Sequence, residues 1–166
     1  DTAQMTHVPD GPWYYQQIDL GYNYRMTDLQ AALGISQMRR LDEFVERRNA
    51  LAKRYDELLS ELPVRCPTVI QDVYSSWHLY PVRLGLDQIR RTHKEVFEAL
   101  REAGVGVNLH YMPVHLQPYY LQLGFAGGMF VEAEAYGRDA VSFPMFPAMS
   151  DADQDEIVAI LGDQLK

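Results

Sequence analysis

The chain has 166 residues and a formal net charge of −8, and hydrophobic residues make up 47% of it. This length suffices for one globular domain with a sizeable core. The acidic balance argues against a nucleic-acid partner, because such a surface gathers Lys and Arg on one face. The single cysteine, Cys66, excludes an internal disulfide and a cysteine-rich zinc site, and its setting favours a small buried hydrophobe over a nucleophile.

Two further features concern the location of the protein and the start of its chain. The chain has neither a long apolar run nor a basic-then-apolar signal peptide, so we expect no membrane partner and a cytoplasmic protein. The first residues, 1–4, include no initiator Met, and we expect them to be a cut into a longer chain.

Residues 1–22 are irregular, and the first strong pattern follows them. Thr27-Asp28-Leu29-Gln30 is a capping box, in which the Thr hydroxyl and the Gln amide satisfy free amides at a helix start. Apolar residues then recur mostly at steps of three and four as far as Pro63. The pattern predicts one helix of about 32 residues, roughly 48 Å long. Such a helix is expected to span two domains or to lie along a partner subunit.

Shorter elements are predicted after this helix. Residues 77–84 predict a strand, and Pro81 predicts an edge or a bulge because it cannot donate to a ladder. A second capping box at Thr92 predicts a helix that ends at Gly104. Residues 105–109 alternate as another strand.

Helices and strands continue to alternate in the carboxyl-terminal third of the chain. We predict a helical turn over 119–123, a helix over 132–139, a strand over 141–143 and a last helix from Ser150 to near Leu165. The order predicts a two-layer α+β fold in which helices cover one face of a small, mainly antiparallel sheet.

The loop that follows the predicted strand 105–109 is a candidate site. His110-Tyr111-Met112-Pro113-Val114-His115 combines two imidazoles and a phenol, and binding residues favour such loops on a rigid scaffold. A metal site would need a third ligand that the spacing does not supply, so no metal is expected. The residues alone fit a structural role equally well. His78 is interpreted as a core or edge histidine and His93 as part of a helix start.

The segment before the first capping box is a second candidate. In 21–26, an Asn, two Tyr and an Arg precede a helix start, where free amides and the helix dipole favour an anion. A turn whose aromatics pack under the helix explains the same residues, and spacing alone favours the turn.

These segments also carry a resemblance to a known family. The stretch 20–34, LGYNYRMTDLQAALG, is similar to the signature of the DegT/DnrJ/EryC1/StrS sugar aminotransferases. The likeness covers most of residues 11–165 in the same order. It continues in 37–43, Arg47-Arg48, 77–80, 104–115 and 142–147.

The resemblance implies the small carboxyl-terminal domain of a fold-type-I aminotransferase that uses pyridoxal 5'-phosphate. It implies a homodimer with active sites at the subunit interface, and a nucleotide sugar and an amino donor as partners. Residues 1–26 would then be a remnant of the cofactor domain and its interface loop. Residues 27–62 would be a long connecting helix, and 63–166 the small α+β domain.

The resemblance also assigns roles to residues. Asn23 would reach the cofactor phosphate in the partner subunit's site, and Arg25 would support that contact or meet the sugar nucleotide. His110, Tyr111 and His115 would line the substrate side, with Trp77 and His78 as further candidates.

Within the family, the likeness is strongest to members of the pseudaminic acid pathway, which aminate C4 of a UDP-linked 4-keto-6-deoxy-N-acetylhexosamine. Perosamine synthases and aminoarabinose-forming transaminases are near relatives. The implied reaction moves an amino group, from a donor such as glutamate, to the C4 ketone of a UDP-linked sugar. The product would serve surface polysaccharide or flagellin glycan biosynthesis.

The lysines depart from the family pattern, whose reactive lysine and pyridine-pairing acid precede the segment seen here. The chain has Lys53, Lys94 and Lys166, and none has the setting that cofactor attachment needs. We therefore assign no catalytic residue and expect the chain alone to be inactive. Two alternatives remain open: a non-catalytic dimerisation or regulatory module, and an unrelated nucleotide-binding α+β domain.

Overall fold

The computed structural model describes residues 24–166 together with residues 3, 5, 8, 16 and 22. The chain forms two compact units, Asp1–Arg39 and Arg40–Lys166.

In the first unit, the described residues form one helix, α1, over Asp28–Met38. The predicted capping box is present: the Thr27 hydroxyl accepts from the amide of Gln30, and the Gln30 side chain accepts from the amide of Thr27 at 2.9 Å. No residue of α1 is buried. Its exposed apolar side chains are Leu29, Leu33, Ile35 and Met38.

The single long helix was a wrong prediction, because the chain forms two helices with a turn at residues 39–40. Arg40 has φ −111° and ψ 9°, outside the helical region, and stands at the amino terminus of the next helix. Its guanidinium binds Glu43 at 2.7 Å, one turn into that helix. Neither Pro nor Gly marks the break, so apolar periodicity alone could not reveal it.

The second unit contains the remaining elements. Its helices are α2 (Leu41–Leu59), α3 (His93–Glu102), α4 (Pro118–Gln122), α5 (Val131–Asp139) and α6 (Asp151–Gln164), with a 3-10 turn at Val114–Leu116. Its strands are β1 (Val64–Arg65), β2 (Tyr80–Leu84) and β3 (Ala140–Phe143). The capping box predicted at Thr92 opens α3. Ser150, predicted as the start of the last helix, caps α6 and forms a capping box with Asp153.

The three strands form one antiparallel sheet in the order β1-β2-β3. Pro81 therefore lies in the central strand, where we had predicted an edge or a bulge. The two-residue strand β1 pairs with Arg83 and Leu84 and does not reach Pro81. On that side Pro81 has no paired strand, so its missing amide removes no ladder bond there.

The strand predicted over 105–109 reduces to a single antiparallel bridge between Asn108 and Ser142. The two residues exchange both of their backbone hydrogen bonds, at 2.7 and 3.2 Å. Val105 and Val107 are buried nonetheless. The alternation in this segment thus records burial of one side of an extended segment rather than a full ladder.

One face of α2 packs into the core of the second unit. Leu51, Ala52, Tyr55 and Leu59 are at most 2% exposed, and the Tyr55 ring stacks on that of Tyr80 in β2 at 5.0 Å. The buried Gln154 of α6 donates to the carbonyl of Leu51 at 3.0 Å. Helix α2 is thereby fixed to the sheet on one side and to α6 on the other.

The α+β class is confirmed: helices pack on a small antiparallel sheet. None of the helices in the described part of the chain is both long and apolar enough to cross a bilayer. The same residues contain no group of three or more His, Cys, Asp or Glu side chains placed to hold a metal ion.

Two helical glycines give a matched test of the packing. A Cβ at Gly137 in α5 would lie 2.7 Å from the Cδ of Pro113, whereas one at Gly162 in α6 would meet Leu62 at 3.7 Å. Alanine normally stabilises a helix interior by about 0.5–1 kcal/mol relative to glycine. We expect Gly162→Ala to keep or raise the free energy of unfolding in urea. Gly137→Ala should lower it by about 1–3 kcal/mol because the proline ring cannot move aside freely. Equal effects of the two substitutions would contradict this packing.

Candidate functional site

The first candidate site lies at the start of α1, within the first unit. The rings of Tyr22 and Tyr24 stack at 5.1 Å, and Arg25, Met26 and Gln30 line an open depression beside them. All of these side chains are exposed. The segment therefore presents a cation and two stacked phenols to whatever approaches the helix start.

The chemistry of this helix start suits a phosphate-bearing group. Within the described residues, the amides of Asp28 and Leu29 have no acceptor, whereas the amide of Gln30 donates to Thr27. Free amides at a helix start favour anions. The carboxylate of Asp28 opposes this preference in the same turn. Arg25 is the described cation next to these amides, so a bound phosphate would depend on it.

Asn23, predicted to reach the cofactor phosphate, lies outside the described residues. Its role stays a prediction.

The second candidate site is the segment 110–117 in the second unit. Tyr111 is 68% exposed and Met112 54% exposed, whereas His110 is half-buried with its ring edge-on to that of Tyr111 at 4.8 Å. The carbonyl of His110 accepts from the Tyr136 hydroxyl at 3.1 Å. The predicted residues do lie in one segment, but they face different surroundings.

His115 points inward from the 3-10 turn and is 6% exposed. Its Nε2 lies 2.8 Å from Oε1 of Glu134, and the same oxygen accepts from the amide of Gly128 at 2.7 Å. These bonds lower the pKa of Glu134, the bond from His115 most and the Gly128 amide next. Sequence reasoning missed Glu134 because its partner, His115, lies 19 residues earlier in the chain.

Trp77 and His78 precede β2 rather than lying within it. Trp77 is half-buried and has φ +48°, a left-handed conformation that is uncommon for a non-glycine residue. Its amide donates to the Ser75 hydroxyl, and its indole donates to Oδ1 of Asn49 at 3.1 Å. His78 next to it is exposed. The expectation that His78 lies mid-strand as a core or edge residue was therefore wrong.

Arg48 holds this turn in place, and sequence reasoning missed that function. Its Nη1 lies 2.9 Å from the carbonyl of Trp77, 3.3 Å from that of His78 and 3.1 Å from that of Met145. One guanidinium on α2 thus joins the loop before β2 to the loop after β3. Strained conformations persist where surrounding bonds determine them in this way.

Cys66 is half-buried beside a cavity of about 490 Å³ between α2 and the loop 66–77. Burial raises the pKa of its thiol. Because the thiolate is the reactive form, the pKa shift makes Cys66 a poor nucleophile at neutral pH. This setting agrees with the expectation of a small hydrophobe.

The chain's lysines are exposed. Lys94 pairs with Glu98 at 3.7 Å and Lys166 with Asp163 at 2.6 Å, and Lys53 is exposed on α2. Attachment of a carbonyl cofactor requires a lysine amine that is activated by desolvation or by a neighbouring cation. None of the three has such a setting within the second unit.

Comparison with known proteins identifies the family of this chain. The model of the DegT/DnrJ/EryC1/StrS aminotransferase family matches residues 4–162. The chain belongs to this family.

Two named relatives are similar to it. The spore coat polysaccharide biosynthesis protein SpsC of Bacillus subtilis is 37% identical over 99% of this chain and 43% of its own length. The UDP-4-amino-4,6-dideoxy-N-acetyl-beta-L-altrosamine transaminase of Campylobacter jejuni is 38% identical over 67% of this chain and 30% of its own length. Each match thus involves less than half of the relative.

A protein of Streptococcus pneumoniae, solved in a PLP-form and a PMP-form, is similar in structure. The TM-scores are 0.81 and 0.82 at 28% identity, covering 91% and 93% of this chain but 38% and 39% of that protein. The chain therefore spans about 40% of the length of proteins that share its fold.

The Arg48 contacts predict a specific loss of stability. Arg48→Lys replaces a planar group with a single ammonium that cannot meet the same three carbonyls. We expect the free energy of unfolding in urea to fall by about 1.5–3 kcal/mol, the range for hydrogen bonds to charged groups. Arg40→Lys, at an exposed ion pair, is the control and should change little. Similar losses in the two variants would argue against the three-carbonyl contact.

Proposed function

We propose that this chain is the carboxyl-terminal part of a pyridoxal-phosphate-dependent nucleotide-sugar aminotransferase. The observation that carries the proposal is the family match over residues 4–162, combined with coverage of about 40% of similar proteins. The activity belongs to the longer protein. In this proposal residues 1–26 come from its cofactor domain, 27–62 connect the domains, and 63–166 form the small domain.

The proposed reaction transfers an amino group, from a donor such as glutamate, to the C4 ketone of a UDP-linked 4-keto-6-deoxy sugar. Two relatives support this choice: one is named for a 4-amino-4,6-dideoxy sugar and another for spore coat polysaccharide biosynthesis. The product would enter the synthesis of a surface polysaccharide or a flagellin glycan, with the pseudaminic acid pathway as our specific proposal.

Pyridoxal phosphate, when bound, supplies the electron sink that lets the amino group leave the donor and enter the sugar. This chain would contribute binding and orientation. Arg25 would bind the phosphate beside the free amides of α1, and Asn23 would donate to it as well. The segment 110–117, with His110, Tyr111 and His115, would line the sugar-nucleotide side.

The proposed assembly is a homodimer in which Asn23 and Arg25 serve the partner subunit's site. The apolar side chains that α1 exposes support it, since apolar surface of this kind tends to become covered by a partner. The alternative is a non-catalytic module that only dimerises or regulates.

Activity separates these proposals. We expect a protein extended at the amino terminus to the length of its relatives to aminate a UDP-linked 4-keto-6-deoxy sugar. The 166-residue chain alone should show no turnover with added pyridoxal phosphate, because its lysines are exposed. Product formation followed by mass spectrometry is the measurement. An extended protein that dimerises yet never turns over would favour the non-catalytic module, and turnover by the short chain would refute the assignment to the longer protein.

The phosphate role of Arg25 predicts opposite effects from neighbouring substitutions in the extended protein. Arg25→Ala should weaken cofactor binding about ten- to a hundredfold, which corresponds to roughly 1.5–3 kcal/mol for one bond to a charged group. Arg25→Lys should restore part of the affinity. Asp28→Asn removes the opposing carboxylate and should keep or tighten binding. Cofactor dissociation constants from absorbance titration test this order, and unchanged affinity in Arg25→Ala would remove Arg25 from the site.

A further inference from the structure

One carboxylate oxygen joins two loops to α5. Oε1 of Glu134 binds the Nε2 of His115 and also accepts from the amide of Gly128. His115 belongs to the segment 110–117, and Gly128 belongs to the loop that leads into α5. The Glu134 side chain is 17% exposed and that of His115 is 7% exposed. Water therefore competes little for the bond between His115 and Glu134. We call this group the Glu134 clamp.

Oε1 of Glu134 accepts both bonds of the clamp, and the lowered pKa of this carboxyl favours the ionised form, which accepts them more strongly. A carboxylate accepts hydrogen bonds without donating any, so Nε2 of His115 must carry the proton that lies between them. The bond from Nε2 to Glu134 fixes the orientation of the imidazole ring. The ring of Phe130 lies 4.8 Å away and packs against it. His115 is thus held from two directions.

The same helix contacts the segment at two further points. The Tyr136 hydroxyl donates to the carbonyl of His110, and the absent side chain of Gly137 leaves room for Pro113. Three positions of α5 thereby fix the backbone on both sides of Tyr111 and Met112. These two side chains remain exposed. The result is a short exposed surface on an anchored backbone.

The clamp lies apart from the apolar core. The buried core residues come from 51–107 and 141–165, and no residue of 108–139 belongs to that cluster. Loss of the clamp should therefore move the segment without unfolding the domain.

We propose that Glu134 is a positioning residue for the sugar-nucleotide site, acting through His115 and Gly128 on the segment that presents Tyr111 and Met112. This inference rests on the proposed function. The proposal changes the expected role of His115. The buried His115 orients the segment 110–117 through its bond to Glu134 and does not touch the substrate. Tyr111 and Met112 become the side chains that meet the substrate.

The kinetic test uses the extended protein and its two half-reactions. Glu134→Ala should raise the KM for the keto sugar about tenfold, the effect of one lost bond to a charged group. Glu134→Gln keeps an acceptor oxygen and should show a smaller rise. The rate with the amino donor should stay within about twofold in both variants. Glu132→Gln, exposed on the same helix, is the matched control and should leave both half-reactions unchanged.

Thermal unfolding separates positioning from stability. Tm should change little in the Glu134 variants relative to Glu132→Gln. Equal losses in both half-reactions, or a fall in Tm that parallels the loss of rate, would overturn the proposal in favour of a structural role. An unchanged KM in Glu134→Ala would overturn it as well.

The clamp can be tested in the 166-residue chain without any activity. In NMR spectra, Glu134→Ala should abolish exchange protection of the Gly128 amide and shift signals of residues 110–117, while the core methyl groups of Leu51 and Val82 stay unchanged. Shifts spread through the core would overturn the proposal.

If the clamp behaves as expected but the extended protein transfers no amino group, the proposed function fails and the substrate role of Tyr111 fails with it. If transfer occurs but the KM is unaffected, the positioning inference alone fails.

Discussion

The second unit depends on contacts that a single arginine makes with backbone carbonyls. Arg48 leaves the partly buried side of α2 and meets the loop before β2 and the loop after β3. Those loops enter and leave the two long strands of the sheet. The buried stripe of α2 packs on the same sheet through Tyr55 and Tyr80. Polar and apolar contacts of one helix therefore fix both the sheet and the turn at Trp77.

Core and candidate site are built from different parts of the chain. The core comes mainly from α2, β2, β3, α3 and α6, whereas the segment 110–117 and the loop at Gly128 are anchored by polar contacts to α5. A rigid core with a separately anchored segment allows the exposed residues of that segment to change at little cost to folding.

Local patterns identified much of the molecule. Capping boxes placed the starts of α1 and α3, and the Ser150 cap placed the start of α6, because a cap joins residues within one turn. The family resemblance, carried by motif order over most of the chain, was confirmed by the match over residues 4–162. The single long helix and the strand at 105–109 were wrong. The apolar period does not distinguish one helix from two, because it continues through the turn at residues 39–40. At 105–109 the alternation reported burial of Val105 and Val107, and burial does not distinguish a bridge from a ladder.

The sequence by itself determined the α+β class, the helix starts and the family, since each rests on neighbouring residues or on motif order. Only the tertiary structure decided that Pro81 sits in the central strand, that Arg48 gathers three carbonyls and that His115 faces Glu134. The physical reason is distance along the chain. A hydrogen bond between residues tens of positions apart leaves no periodic trace, because its partners meet only after the core has brought their backbones together.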